Sequence, residues 1–202
     1  MHISPLSYVQ SEEIASLHKS AVSDTSSYLG KKYVTRLYQL LLSHPKQHIS
    51  FGAFEKGHLI GVIIATTHIR NTQKAMHTLF TFRSLPTLFF RFLTGGITPK
   101  KVVKRLLFER KIQALLGNNT AAIVVLFVDP THVRTGVGKA LVHSVIVKFK
   151  KAQAKFVYVD VSSDNDEGLS FFEHIGFIKL FEYFGGTLLR YSLTQKKRTN
   201  QE

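Results

Sequence analysis

Between residues 129 and 139 the chain reads DPTHVRTGVGK, a loop whose residue types suit the binding of an anion. It follows an apolar, largely β-branched run, IVVLFV at 123–128, and leads into a helical pattern. Pro130 removes a ladder donor and ends the strand. Gly136 and Gly138 leave room for a phosphate to approach the main chain. The N–H groups of the first helical turn, with the positive end of the helix dipole behind them, complete an anion site. The same pattern also suits a tight turn that binds nothing, because glycines are common where a strand passes into a helix. With no cysteine in the chain, disulfides, thiolate metal sites and a cysteine nucleophile are excluded.

The elements that must hold this loop lie on both sides of it. Residues 2–7, HISPLS, read as a short strand. Ser11-Glu12-Glu13 supplies a helix cap and acids for the first turn, followed by Ile14, Leu17 and His18 at helical spacing. Tyr33, Val34, Leu37, Tyr38, Leu40 and Leu41 mark a second helix after Gly30, ending before Pro45. HISFGAFE and HLIGVIIATTH flank Lys56-Gly57 as a β-hairpin. After the glycine loop come a helix over 139–151, a strand over 155–161 and a helix over 166–174 with Gly176 as its left-handed cap. A last hairpin, FIKLFEYF and TLLRYSL, turns at Gly185-Gly186.

The net charge of +14 is uneven. Residues 70–119 hold ten Lys or Arg against one acid, Glu109. This segment reads as a basic helical insertion between the third and fourth strands, with Thr98-Pro99 starting its second helix. It suits an anionic ligand, and it also suits a solvated face with no partner. Its phenylalanine-rich part, 79–93, opens membrane-surface contact as a weaker option. Nucleic acid is not an expected partner. The hydrophobic content of 44% fits a folded protein, and 202 residues suffice for one domain. We expect that domain to span 1–195, with 196–202 as a frayed tail. The first residues lack the pattern of a signal peptide, and no apolar run approaches about 20 residues, so a cytoplasmic location is the default.

Two segments, taken with the element order between them, resemble the GNAT superfamily of N-acetyltransferases. The first is VDPTHVRTGVGKAL at 128–141, and the second is VDVSSDNDEGLSFFEHIGF at 159–177. In the second, Asn165 is followed by Phe172 and by Gly176-Phe177 at the family's spacing of seven and eleven residues. The resemblance implies an α/β (α+β) fold with a mixed, mostly antiparallel sheet flanked by helices. It also implies acetyl-CoA as acyl donor. Phe127 and Val128 would pair with the pantetheine arm like an added strand. Val133, Arg134, Thr135, Gly136, Val137, Gly138, Lys139 and Ala140 would face the pyrophosphate, with Arg134 or Lys139 adding charge-assisted contacts. Asn165 would hold the cofactor arm, or would simply form an Asx turn before its helix, and Phe172, at the family's aromatic position, would also lie against the cofactor. No metal is implied.

The implied reaction is attack of an amine on a thioester, which needs a proton acceptor, a polarised carbonyl and a way to receive charge on sulfur. Asp160 stands where some family members place a carboxylate base. Main-chain N–H near Val128 would polarise the carbonyl. Two positions depart from the family pattern: Val133 replaces the usual Gln or Arg, and Phe172 replaces the frequent tyrosine acid. Tyr183 is therefore a candidate acid, beside Tyr191, Tyr158, Ser170 and His174. The expected acceptor is a small-molecule amine, in one reading an anionic amino sugar or nucleotide sugar. A protein amino group, or a catalytically silent CoA-binding module, is the alternative.

Overall fold

The computed structural model describes residues 1–22, 30–76, 120–183 and 185–194. Most of the basic segment, 77–119, and the expected tail at 196–202 lie outside these residues, although 69–76, where that segment begins, is helical. The remaining elements are β1 (His2–Pro5), α1 (Ser11–Ala21), α2 (Lys31–Leu42), β2 (His48–Glu55), β3 (His58–Thr66) and, after the helix 69–76 as α3, β4 (Ala121–Val128). Then follow α4 (Val137–Lys151), β5 (Phe156–Ser162), α5 (Asp166–His174), β6 (Ile178–Tyr183) and β7 (Gly186–Ser192).

All seven strands form one sheet in the order β1-β2-β3-β4-β5-β7-β6. Every neighbouring pair is antiparallel except β4 and β5. The parallel pair follows from chain economy: α4 is the crossover that a parallel connection requires. The fold is the mixed, mostly antiparallel sheet flanked by helices that the resemblance implies.

Helices cover both faces, so β3 reads as an almost unbroken apolar run, LIGVIIA, with every residue from Leu59 to Thr66 buried. On one face, α1 and α2 pack Ile14, Leu17, Leu37, Tyr38 and Leu41 against Val62, Ile64 and Phe127. On the other, α4 packs Leu141, Val142, Val145 and Phe149 against Ile63, Ile123, Val157 and Val159. Leu141, Val145 and Phe149 have no exposed surface; at about 1.5–3 kcal/mol for each large side chain, this stripe seats the N-terminus of α4 firmly over the sheet. The helix starts two residues earlier than its apolar pattern suggests, at Val137, because that side chain is itself buried. Gly176, at φ 99°, takes the left-handed cap after α5 and donates its N–H to the Glu173 carbonyl at 3.0 Å.

Candidate active site

The sheet is open in its middle. β4 pairs with β5 over only Ala121↔Val157, Ala122↔Tyr158 and Ile123↔Val159. Beyond this, β4 stays with β3 as far as Gly61↔Val128, and β5 stays with β7 as far as Ser162↔Gly186. The two strands therefore part, leaving a gap between adjacent strands. The cause lies in β4, where Ile64 pairs with Val125 but Ala65 pairs with Ile123, so that Val124 is an extra residue. A bulge of this kind bends its strand and increases its twist. Side-chain packing records the same shift: Ile123 packs on the α4 face, while Val125, two residues on, packs on the α1/α2 face.

The bulge decides which main-chain groups line the gap. The Asp129 N–H donates to the Ile60 carbonyl at 2.8 Å, toward β3. With a period of two along a strand, Phe127 and Val125 also turn to β3, and Leu126 and Val128 turn their N–H and C=O groups into the gap. Of the two strand residues expected to meet pantetheine, Val128 thus offers an edge. Phe127 pairs with Val62 and buries its ring against α1 and α2. Leu126, absent from the sequence-based set, offers the second edge. On this wall His18 Nδ1 and the Tyr38 hydroxyl share a hydrogen bond of 2.6 Å, and the His18 ring meets Phe127 edge-on at 5.3 Å.

Val128 leads straight into the glycine loop. Asp129 accepts the Thr131 N–H at 2.8 Å and its hydroxyl at 2.5 Å, and these bonds hold its carboxyl below the usual carboxylate range. His132 Nε2 lies 3.3 Å from Glu55 Oε2, tying the loop to the β2–β3 hairpin. Gly136 caps α4 at φ 88°, a left-handed conformation that side chains strain, and a Cβ there would meet nothing within 4 Å. Dihedral angle, not crowding, calls for this glycine. At Gly138 the reason is packing: a Cβ would lie 3.2 Å from the Phe171 ring of α5 and 3.8 Å from a Val128 methyl. Gly138 thus brings α5 and the gap up to the first turn of α4.

The amides of Val137, Gly138 and Lys139 have no intrahelical acceptor, whereas the Ala140 N–H donates to the Gly136 carbonyl at 3.0 Å and belongs to the helix. Arg134, itself at φ 62°, reaches Glu167 of α5 at 3.3 Å. Both side chains are more than four-fifths exposed, so the pair contributes at most about 1 kcal/mol and gives way readily to a phosphate. Lys139 and Thr135 are exposed, Val133 is half-exposed, and the Thr135 hydroxyl donates to the His132 carbonyl at 2.6 Å. An anion at this turn gains about 0.3–1 kcal/mol from the helix dipole alone.

At the point where the strands part stands Asp160, the first residue beyond the last β4–β5 pair. It faces the α1/α2 side, because Val159 before it packs with Ile123 on the opposite side. The Tyr183 hydroxyl, at the end of β6, donates to Asp160 Oδ2. A carboxylate and a phenol thus meet beside the bulge, at the closed end of a gap whose open end lies by the first turn of α4.

A family model of the acetyltransferase (GNAT) family matches residues 14–177. The chain belongs to the GNAT family. The family makes it an N-acetyltransferase, and acetyl-CoA is the acyl donor. No curated protein sequence matches the chain, but solved structures do. The PaiA N-acetyltransferase of Thermoplasma acidophilum, in complex with coenzyme A, superposes with a TM-score of 0.63 at 15% identity, over 95% of this chain and 99% of that one. YncA of Salmonella typhimurium, with its cofactor acetyl-CoA, gives 0.58 at 12% identity over 97% and 95%. The ribosomal-protein-S18-alanine N-acetyltransferase of Escherichia coli gives 0.59 at 11% identity over 100% and 99%. At these identities the likeness is one of fold.

The remaining GNAT motif residues take structural places. Asn165 caps α5, its Oδ1 accepting the Gly168 N–H at 2.8 Å, so the Asx-type role is present. Phe172 is buried, with Phe171 and Phe177 rings each 5.1 Å away. At the position of the family's tyrosine acid, this chain has a core residue. Among the other phenols, Tyr191 packs on Phe177 at 5.2 Å and Tyr158 lies against Phe156 at 6.4 Å. Ser170 and His174 are exposed on α5. Asp160 and Tyr183 are the sequence-predicted candidates that meet. Among the described residues no group of three or more His, Cys, Asp or Glu could hold a metal, and no helix is long and apolar enough to cross a membrane.

Proposed function

We propose that the chain transfers an acetyl group from acetyl-CoA to a primary amine of a small, anionic molecule, with Asp160 and Tyr183 as its proton-handling groups. The observation that carries this reading is the hydrogen-bonded pair at the closed end of the β4–β5 gap. Bound acetyl-CoA supplies the activated acyl group as a thioester. The edge groups of Leu126 and Val128 have the spacing to hold an extended pantetheine arm as a strand would be held, and the amides of Val137 to Lys139 suit its pyrophosphate.

With the cofactor so placed, the acyl group comes to the bulge, where an N–H of the β4 edge can polarise its carbonyl. Asp160 takes the proton of the incoming amine, directly or through water. Tyr183 fixes the carboxylate and carries a phenol able to return a proton to the departing sulfur. This arrangement compensates for Phe172, which has no proton to give.

The acceptor class rests on charge. A protein with net charge +14, and ten cations in residues 70–119, draws anions and repels polyamines. An amino sugar bearing a phosphate or a nucleotide combines the required amine with the favoured charge. The test is release of CoA thiol across a panel of amino sugars, nucleotide amino sugars, polyamines and peptides, which the absence of cysteine leaves free of protein background. Phosphorylated or nucleotide-linked amino sugars are expected to give kcat/KM at least tenfold above the uncharged sugars. A preference for polyamines or peptides would overturn the acceptor assignment, and binding of acetyl-CoA without turnover of any amine would overturn the catalytic one.

A further inference from the structure

We propose that Gly186 is the positioning residue that allows the Asp160–Tyr183 pair to form, and hence that its lack of a side chain is a catalytic requirement. This inference rests on the catalytic reading of that pair. Tyr183 and Asp160 are not on adjacent strands. Tyr183 ends β6 and Asp160 lies in β5, with β7 between them. To reach the carboxylate, the tyrosine ring must cross over β7. It crosses at the first residue of that strand, Gly186, which pairs with Tyr183 on one side and with Ser162 on the other.

The crossing leaves no space for a Cβ. One built on Gly186 would lie 2.6 Å from Tyr183 Cζ and 2.8 Å from Asp160 Oδ1, and would collide with the phenol oxygen itself. All three atoms belong to the two side chains of the pair, so a methyl group at this position displaces the pair and not the backbone. The backbone does not require glycine here: unlike Gly185, at φ 96°, Gly186 is not among the residues with positive φ. An alanine therefore fits the strand, and its effect falls on the Tyr183 ring. Restoring the hydrogen bond would need a shift on the scale of an ångström, enough to cost about a hundredfold in rate when it moves a reacting group.

The experiment compares Gly186→Ala, Tyr183→Phe, the double variant and Asp160→Asn in steady-state acetyl transfer to the best amine of the panel, with acetyl-CoA binding and thermal midpoint measured alongside. The expected result is a fall in kcat of about tenfold to a hundredfold for Gly186→Ala, with KM for acetyl-CoA within about twofold of the parent. Tyr183→Phe is expected to show a similar fall. In the Tyr183→Phe background, Gly186→Ala should cost clearly less than in the parent, because the hydrogen bond is already gone and only the crowding of the ring and of the Asp160 carboxylate remains. The same large loss in both backgrounds would mark general damage to the strand and overturn the proposal. Full activity of Gly186→Ala, with Asp160→Asn impaired, would overturn the positioning role while leaving the carboxylate as base. Full activity of both Asp160→Asn and Tyr183→Phe would overturn the catalytic reading and this inference with it. Tyr183→Phe needs no change at the crossing, so it tests the bond even if Gly186→Ala fails to fold.

Discussion

Asp160→Asn lowers kcat/KM for the preferred amine by about a hundredfold to ten-thousandfold, the range of a lost general base. At about 1.36 kcal/mol per factor of ten, that is about 2.7–5.4 kcal/mol of transition-state stabilisation. The substitution isolates the proton-accepting role. Asparagine has the same shape and an oxygen that can still accept from Tyr183, and the site is at the exposed edge of β5, so folding is left intact. Acetyl-CoA binding is expected to stay within about twofold, because the groups that suit the cofactor lie on β4 and at the start of α4. Steady-state kinetics with calorimetric binding of acetyl-CoA separates the two. A loss of less than about threefold would remove Asp160 from the mechanism.

Gly136→Pro is expected to weaken acetyl-CoA binding by at least about a hundredfold. Gly136 sits at φ 88°, and proline holds φ near −65°, so the loop must leave the path that aims the following amides outward. If two charge-assisted bonds to the pyrophosphate are lost, at about 1.5–3 kcal/mol each, the sum is about two to four decades in affinity. Gly136→Ala is the control. A Cβ at this position meets nothing within 4 Å, and its strain of about 1–2 kcal/mol falls on the stability of the loop. Calorimetry with acetyl-CoA should therefore show alanine retaining most of the affinity that proline loses. Equal binding by the proline variant and the parent would show that the glycine loop is only a turn.

The sequence reveals the order of the elements because their apolar faces are periodic. The stripes on α1, α2 and α4 and the hairpin around Lys56-Gly57 are where their patterns put them, to within about two residues. The glycine turn before α4 is legible because glycine, proline and a helix start are written in residue types. The gap itself is not. Its cause, the extra residue Val124, lies within IVVLFV, where every residue is apolar and a bulge leaves no signature; the pairing with β3 and the change of packing face between Ile123 and Val125 show it. For the same reason residue types do not phase the alternation of main-chain groups, and only the register with β3 shows that Leu126 and Val128 share one edge while Phe127 turns to β3. At Gly138 the sequence shows room for a phosphate to approach, but not the Phe171 ring beside it, a contact from a helix about thirty residues away. Asp160 and Tyr183 are each legible as candidates from their positions in the sequence. Their meeting depends on the β5-β7-β6 order and on the empty side of Gly186, both of which are long-range facts.

Whether the β4–β5 gap and the first turn of α4 together form an acetyl-CoA site is tested most directly by a thermal melt of the full chain with and without the cofactor. A ligand at about 100 times its dissociation constant stabilises the folded state by about 2.7 kcal/mol. For a chain of this length each kcal/mol moves the midpoint by about 2–4 °C. The account predicts a rise of about 5 °C or more with excess acetyl-CoA, and no shift at saturating acetyl-CoA would contradict it.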